Sequence, residues 1–396
     1  MKRRDFFKQA SLASTALFLP KFVSGFNLID SAVATGKKLV IIQLSGGNDG
    51  LNTVVPFRND IYYKKRTSLA QQKSNLIEIT DEIGFHESLI AHSNLYNNGE
   101  LCVINNVGYP NPNRSHFRAT DIWHTGSDAN EYLQSGWIGR YLDVTKSKSL
   151  DALEVDDSLS LLLKGELTDG IATKNPQLFF RTTHDPYFKN VVSHYDDAHL
   201  SEHNLGYLYK TMVTATSSAK YIYETSKTYT TKTSYPKNEF SNQLKQVAQF
   251  INSGLQTKVY YTSLGGFDTH ANQINKQKRL LKIYDGAMAA FIKDLKAQDT
   301  FKDTLVLTFS EFGRRVQQNA ANGTDHGTAN QVFLIGNQLK KQGFYNPMAD
   351  LSNLDNNGDL KYDVDFREIY TSVLNNWLEV DAKKVLSKSF TGVNIV

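Results

Sequence analysis

Short apolar runs of strand length recur along the chain, and each is followed by glycines, acids or histidine. They are Lys37–Leu44 (KKLVIIQL), Glu100–Val107 (ELCVINNV), Lys258–Leu264 (KVYYTSL), Leu305–Phe309 and Val332–Ile335. They are continuous rather than alternating, which predicts strands covered on both faces, as in a parallel sheet between helix layers. The segments between them carry helical spacing. In FSNQLKQVAQFINSGL the apolar positions Leu244, Val247, Phe250 and Ile251 share one helix face. A long helix is expected from Ala271 to about Gln298, and a closing helix from Asp365 to Leu378 with the stripe Ile369, Val373 and Trp377. Residues 150–238 interrupt this order: Tyr207–Lys237 is rich in Thr, Ser, Tyr and Lys without strong apolar periodicity, and it reads as an insertion or cap of mixed helices and loops. The expected fold class is therefore α/β, a mostly parallel central sheet sandwiched by helices, with a middle insertion or cap.

With 396 residues, 40% hydrophobic and 21% charged, the chain can form one large or two moderate domains with a real core. A formal charge of +4 gives no reason to expect nucleic acid or an anionic membrane as partner. Cys102 is the only cysteine and sits in the apolar LCVI, where a buried thiol is expected. That excludes a disulfide framework and a cysteine-based zinc site. Residues 1–34 read as a targeting segment: MKRRDFFKQ pairs Arg3 with Arg4 ahead of Phe6, Phe7 and Lys8. The apolar stretch Leu12–Leu19 is too short to span a bilayer, and Ala32-Val33-Ala34 offers a cleavage site before Thr35. The segment resembles a twin-arginine export signal, the alternatives being an ordinary secretory signal or an uncleaved anchor. The resemblance implies a periplasmic or extracellular protein, cleaved near Ala34, without a membrane span in the mature chain and served by the twin-arginine translocase during export.

The candidate chemistry lies just past the strand ends, where open α/β sheets bind ligands. Asp49 follows the first strand within SGGNDG, as a metal or substrate contact or as turn chemistry alone. The second strand leads through a Pro/Asn loop to Ser115, His116 and Arg118 at the start of a helix. Ser115 suits an N-cap, and also a nucleophile whose arriving anion gains from the helix dipole. His116 and Arg118 are candidate base and oxyanion clamp. Asp268 and His270, two residues apart after two glycines, form a compact metal-ligand pair, the alternative being Asp268 as a helix cap. Glu311 and Arg314 follow the fourth strand, and Asp325 and His326 precede the fifth, with a polar loop between the two runs. The sequence DNNGD at Asp355–Asp359 lacks the later glutamate of a calcium loop and reads as a turn.

Hard oxygen and imidazole ligands around a hydroxyl suit hydrolysis of a phosphate or sulfate ester, where a divalent metal neutralises charge and Arg114, Arg118 or Arg314 clamps oxygens. GGNDGLNTVVP, NRSHFRATDIWHTG, GGFDTHANQ, SEFGRR and TDHGTANQVFLIG, in that order, resemble the bacterial family called domain of unknown function 1501 over nearly the whole mature chain. That family in turn resembles the alkaline phosphatase and sulfatase superfamily. The resemblance implies Asp49, Asp268, His270, Glu311 and His326 as metal ligands for zinc, manganese, calcium or magnesium, and Ser115 as nucleophile assisted by His116, Arg118 and Arg314. It implies an exported hydrolase or transferase acting on a small-molecule or glycan ester. Two departures stand out. Phe312 occupies the place of a superfamily metal histidine, and no Cys/Ser-x-Pro/Ala-x-Arg sequence surrounds Ser115 to support formylglycine chemistry. The rival expectation is a member that keeps the fold without catalysis and binds an envelope polysaccharide or a partner protein.

Overall fold

A computed structural model describes residues 36–193 and 204–396. The export segment read over residues 1–34 lies outside the described residues. The strands are β1 (Lys38–Leu44), β2 (Val54–Val55), β3 (Leu76–Glu78), β4 (Gly84–His86), β5 (Leu101–Gly108), β6 (Ala152–Glu154), β7 (Ile171–Ala172), β8 (Val259–Leu264), β9 (Thr304–Phe309), β10 (Arg314–Gln318), β11 (Thr324–His326), β12 (Asn330–Ile335), β13 (Gly343–Phe344) and β14 (Val364–Asp365). A nine-stranded sheet runs β13-β5-β12-β9-β1-β8-β6-β7, with β14 also paired to β5. Its pairings are parallel except those of β12, which lies antiparallel between β9 and β5. The mostly parallel α/β sheet is thus present.

The continuous apolar runs divide by alternate residues between two cores. Leu39 and Ile41 of β1, Leu305 and Leu307 of β9 and Val332 and Leu334 of β12 face one side. Val40 and Ile42, Val306, and Phe333 with Ile335 face the other. The second side is covered by α1 (Ile90–Asn97), while α2 (His116–Thr125) and α3 (Trp137–Val144) cover the first. α4 (Glu239–Asn252) and α5 (Gln273–Ala297) add Leu244, Val247, Leu281 and Met288 to the second core. α6 (Phe366–Ser372), capped by Asp365 and continued by a π-helical turn through Trp377, places Ile369, Val373 and Trp377 in the first. Burial on both faces explains why these strands show no alternation of apolar with polar residues.

The stretch 150–238 contributes β6 and β7, which extend the sheet beyond β8. Its remainder includes the helices Pro176–Thr183 and Asn204–Ser226. One expectation needs correction. The polar loop between β9 and β12 contains structure. β10 and β11 pair as an antiparallel ribbon with Arg314 opposite His326, which its alternating polar residues did not announce as strand.

The reversed direction of β12 has a consequence for function. Its first residues lie at the same sheet edge as the last residues of β1, β5, β8 and β9, so all the loops that carry candidate chemistry meet there. Gly46 makes that convergence physically close. At φ 116°, a Cβ there would sit 2.4 Å from the Asp268 amide nitrogen. Gly46→Ala should therefore cost about 1–3 kcal/mol. Gly265→Ala, which meets nothing within 4 Å, should stay within about 0.5 kcal/mol of the parent. Urea unfolding of both variants checks the pair.

Candidate metal centre

Asp268 Oδ1 is the point on which the loops converge. His270 Nε2 lies 3.0 Å from it, His326 Nε2 3.2 Å and His116 Nε2 3.4 Å, and Arg314 Nη2 donates to it at 2.8 Å. One donor atom each from His116, Asp268 and His326 lie within 4.8 Å of one another. Among the sequence-derived ligands, Asp268, His270 and His326 meet here. His116, expected as base or clamp, joins them.

The other ring nitrogen of each histidine is held by an acceptor. His326 Nδ1 lies 2.7 Å from the Arg114 carbonyl, His270 Nδ1 3.1 Å from Asp325 Oδ1 and His116 Nδ1 2.8 Å from Glu311 Oε1. A carbonyl only accepts, so His326 carries its proton on Nδ1 and its neutral Nε2 is bare. The carboxylates favour the same tautomer in the other two rings. The consequence is electrostatic: His270 Nε2 and His326 Nε2 stand 2.9 Å apart, lone pair toward lone pair, unless a proton or a cation lies between them. His116 Nε2 is buried without a hydrogen-bond partner among the described residues. The donor atoms of His116, Asp268 and His326 lie close enough together to hold a divalent cation, with His270 beside Asp268 and His326. The Nδ1 partners fix ring orientation as such sites require.

Charge follows the same pattern. Burial opposes ionisation of Asp268, but the hydrogen bond and positive charge of Arg314 outweigh it and hold its carboxyl well below the usual range. The bond to Glu311 raises His116 above the ordinary imidazole value against the opposing effect of burial. Burial pushes His326 down, despite its bond to the Arg114 carbonyl.

Other expected site residues have different work. Glu311 is fully buried; Oε1 accepts the Gly46 amide at 2.8 Å and pairs with His116, while Oε2 accepts from Gln43 at 3.5 Å. It orients a ligand rather than offering a free oxygen to the cluster. Asp49 is buried against Arg66, Nη1 to Oδ2 at 2.5 Å, and also accepts from Gln273. Arg66 is itself inside the protein and donates its remaining groups to Val316 and Arg315 carbonyls. The cation beside Asp49 is therefore a guanidinium supplied by the chain. Arg314 is spent on the carbonyls of Gly46, Gly47, Phe267 and Thr324 besides Asp268, so it locks the loops together. Arg118 donates to the carbonyls of Asp128, Ala129 and Glu131 and stacks on Tyr132, holding a loop rather than a substrate. Ser115 occupies the N-cap position of α2, exposed, and its hydroxyl makes no capping bond. Phe312 packs its ring on both His116 (4.8 Å between centroids) and His326 (4.7 Å).

Sequence reasoning missed Arg66, Gln43 and Asp325 as partners. Arg66 and Gln43 carry no local signal, because each meets its partner through long-range folding. Asp325 adjoins His326 but acts on His270, since neighbours on β11 point to opposite sides.

In the metal-free protein, NMR titration should place His116 above the ordinary imidazole value and move it down in Glu311→Gln. Ligation needs the unprotonated ring, so metal affinity of the parent should fall as pH drops through that raised value. A His116 titration untouched by the substitution would show that Glu311 does not hold the ring.

Among solved structures, the chain resembles the C-terminal periplasmic domain of EcEptC from Escherichia coli in complex with Zn, at 13% identity over 81% of this chain and 77% of that one, TM-score 0.40. It resembles the lipoteichoic acid synthase LtaP from Listeria monocytogenes at 11% identity over 80% and 71%, TM-score 0.37. The PsFucS1 sulfatase from Pseudoalteromonas sp. is similar at 10% identity over 91% and 73%, TM-score 0.36. No curated protein matches. A family model described as protein of unknown function (DUF1501) matches residues 36–387, and the chain that builds this histidine and aspartate centre belongs to that family.

Proposed function

We propose that this chain is an exported metal-dependent hydrolase or transferase acting on a phosphate or sulfate ester. The observation that carries the reading is the convergence of bare imidazole nitrogens from His116, His270 and His326 on the Asp268 carboxylate, next to an exposed serine at a helix N-terminus. Mixed nitrogen and oxygen donors favour zinc or manganese over calcium and magnesium, which prefer oxygen alone. A bound divalent cation would supply charge neutralisation and lower the pKa of a coordinated hydroxyl.

The chain's own residues divide the remaining work. Glu311, Asp325 and the Arg114 carbonyl hold the imidazoles in the ligating tautomer. Arg314 fixes the loops of β1 and β8 against β10. Ser115 is the nucleophile in this reading: its hydroxyl is exposed and free of a capping bond, and the first amides of α2 favour the anionic group arriving there. Arg114, the preceding residue, pairs its Nη2 with Asp359, and its Nε is buried. Arg66 stands as the cation for Asp49, so the centre takes a single ion. Export rests on the paired arginines and small-residue cleavage site of residues 1–34. No helix of the described residues is long and apolar enough to cross a membrane.

A second reading, a member without catalysis that binds an envelope polysaccharide or partner protein, is favoured by one observation. Phe312 covers two of the imidazoles and is itself almost fully buried.

Elemental analysis of the purified protein should find about one equivalent of zinc or manganese per chain, lost in Asp268→Ala. Asp49→Asn should retain that metal while losing about 3–5 kcal/mol of stability from stranding Arg66. Turnover of aryl phosphates or sulfates should drop by at least about 10³-fold in Ser115→Ala. A metal-loaded protein that turns over no ester would favour the second reading, and a folded, metal-free protein would overturn the first.

A further inference from the structure

Beside the metal centre lies a cavity of about 390 Å³, within the span of small-molecule sites. Its walls include the rings of Tyr109, Trp123, Phe312 and Tyr362, with Asp355 and Lys361 among the polar residues. Glu311 and Phe312 belong to both places: each lines the cavity, and each contacts His116. A ligand held here therefore lies one side chain away from the imidazoles.

The hydrogen-bonding groups of the cavity define what it accepts. Trp123 is buried, stacked between Phe309 and Phe366, and its Nε1 has no hydrogen-bond partner among the described residues. A buried indole N–H without an acceptor is costly to maintain, and an oxygen brought within its reach would satisfy it. Tyr109 already accepts the Asn113 amide, leaving its own O–H to donate. Thr328 donates to the Leu360 carbonyl, leaving lone pairs to accept. Lys361 is drawn to the Asn353 side chain, and the Asp355 carboxyl opposes a second anion. The cavity thus offers flat apolar faces together with scattered donors and acceptors. An acyl chain or plain aryl group would fill the volume and strand the Trp123 and Tyr109 donors. A free anion would waste the aromatic walls and meet Asp355.

We propose that this cavity binds a hydroxylated, pyranose-sized ring, the sugar that carries the ester. As a statement about substrate it rests on the ester reading above, but binding of the ring itself does not require turnover. The apolar C–H faces of the sugar lie against Tyr109, Phe312 and Tyr362, and a ring or hydroxyl oxygen accepts from Trp123 Nε1.

Saturation-transfer NMR on the full folded protein tests this with methyl hexopyranosides and their short unesterified oligomers, against octanoate and 4-nitrophenol. The expected result is transfer to sugar ring protons, weakened about threefold to tenfold in Trp123→Phe, which keeps the aromatic face and removes the donor. Tyr362→Ala, at a partly exposed wall position, should weaken binding similarly with metal content unchanged. Because that residue is 38% exposed, it keeps the test decisive if the Trp123 variant fails to fold. Preferential binding of octanoate or nitrophenol with the same variant sensitivity would overturn the sugar assignment, as would absence of any sugar signal. Sugar binding without ester turnover would defeat the ester reading and leave this one standing; turnover of simple aryl esters without sugar binding would do the reverse.

Discussion

Asp268 is the constraint around which the rest of the site is arranged. Its Oδ1 stands against three imidazole nitrogens, and against one guanidinium that brings charge. Arg314 alone partly offsets that arrangement, and it is already divided among four backbone carbonyls. Electron-rich atoms held this close by groups outside the cluster are an arrangement that a cation would satisfy. The sheet enforces the geometry. Loops from β1, β5, β8 and β9 and the approach to β12 reach one edge because β12 runs opposite to its neighbours.

The same edge shows two carboxylates settled in two ways. Asp268 is exposed and shares Arg314 with three imidazoles. Around Asp49 the partner is Arg66, fully buried and hydrogen-bonded on its other nitrogens, so the charge is internally matched. A buried guanidinium next to a carboxyl fixes structure at a high cost of removal. The two aspartates follow similar glycine-rich turns but end in different electrostatic surroundings, and only the folded chain distinguishes them.

Glu311 links the centre to the interior. It connects the Gly46 amide, His116 and Gln43, and Gln43 in turn accepts from the Tyr261 hydroxyl at 2.7 Å and meets His124 at 3.1 Å. Burial pushes His124 down to about 3, which keeps this buried ring neutral. A polar chain therefore runs from the core of the sheet to the histidine and aspartate cluster within otherwise apolar strands. Such networks hold geometry well when every member is satisfied.

The sequence by itself determined the layered α/β architecture. Continuous Val, Ile and Leu runs can be buried only as strands covered on both faces, and β1, β5, β8, β9 and β12 all fall on such runs. It also singled out Asp268, His270 and His326, acids and imidazoles beside buried strands, which the fold brings together. The tertiary structure alone decided the roles. It made His116 a ligand candidate and Glu311 its orienting partner, gave Asp49 to Arg66, committed Arg118 to a loop, and folded the polar stretch after Glu311 into the β10–β11 ribbon. The physical reason is range. Periodicity and turn chemistry are local and leave their mark within a few residues, whereas ion pairing, ring tautomer and ligand geometry depend on partners tens to hundreds of positions away. Those partners become neighbours only when the sheet edge assembles.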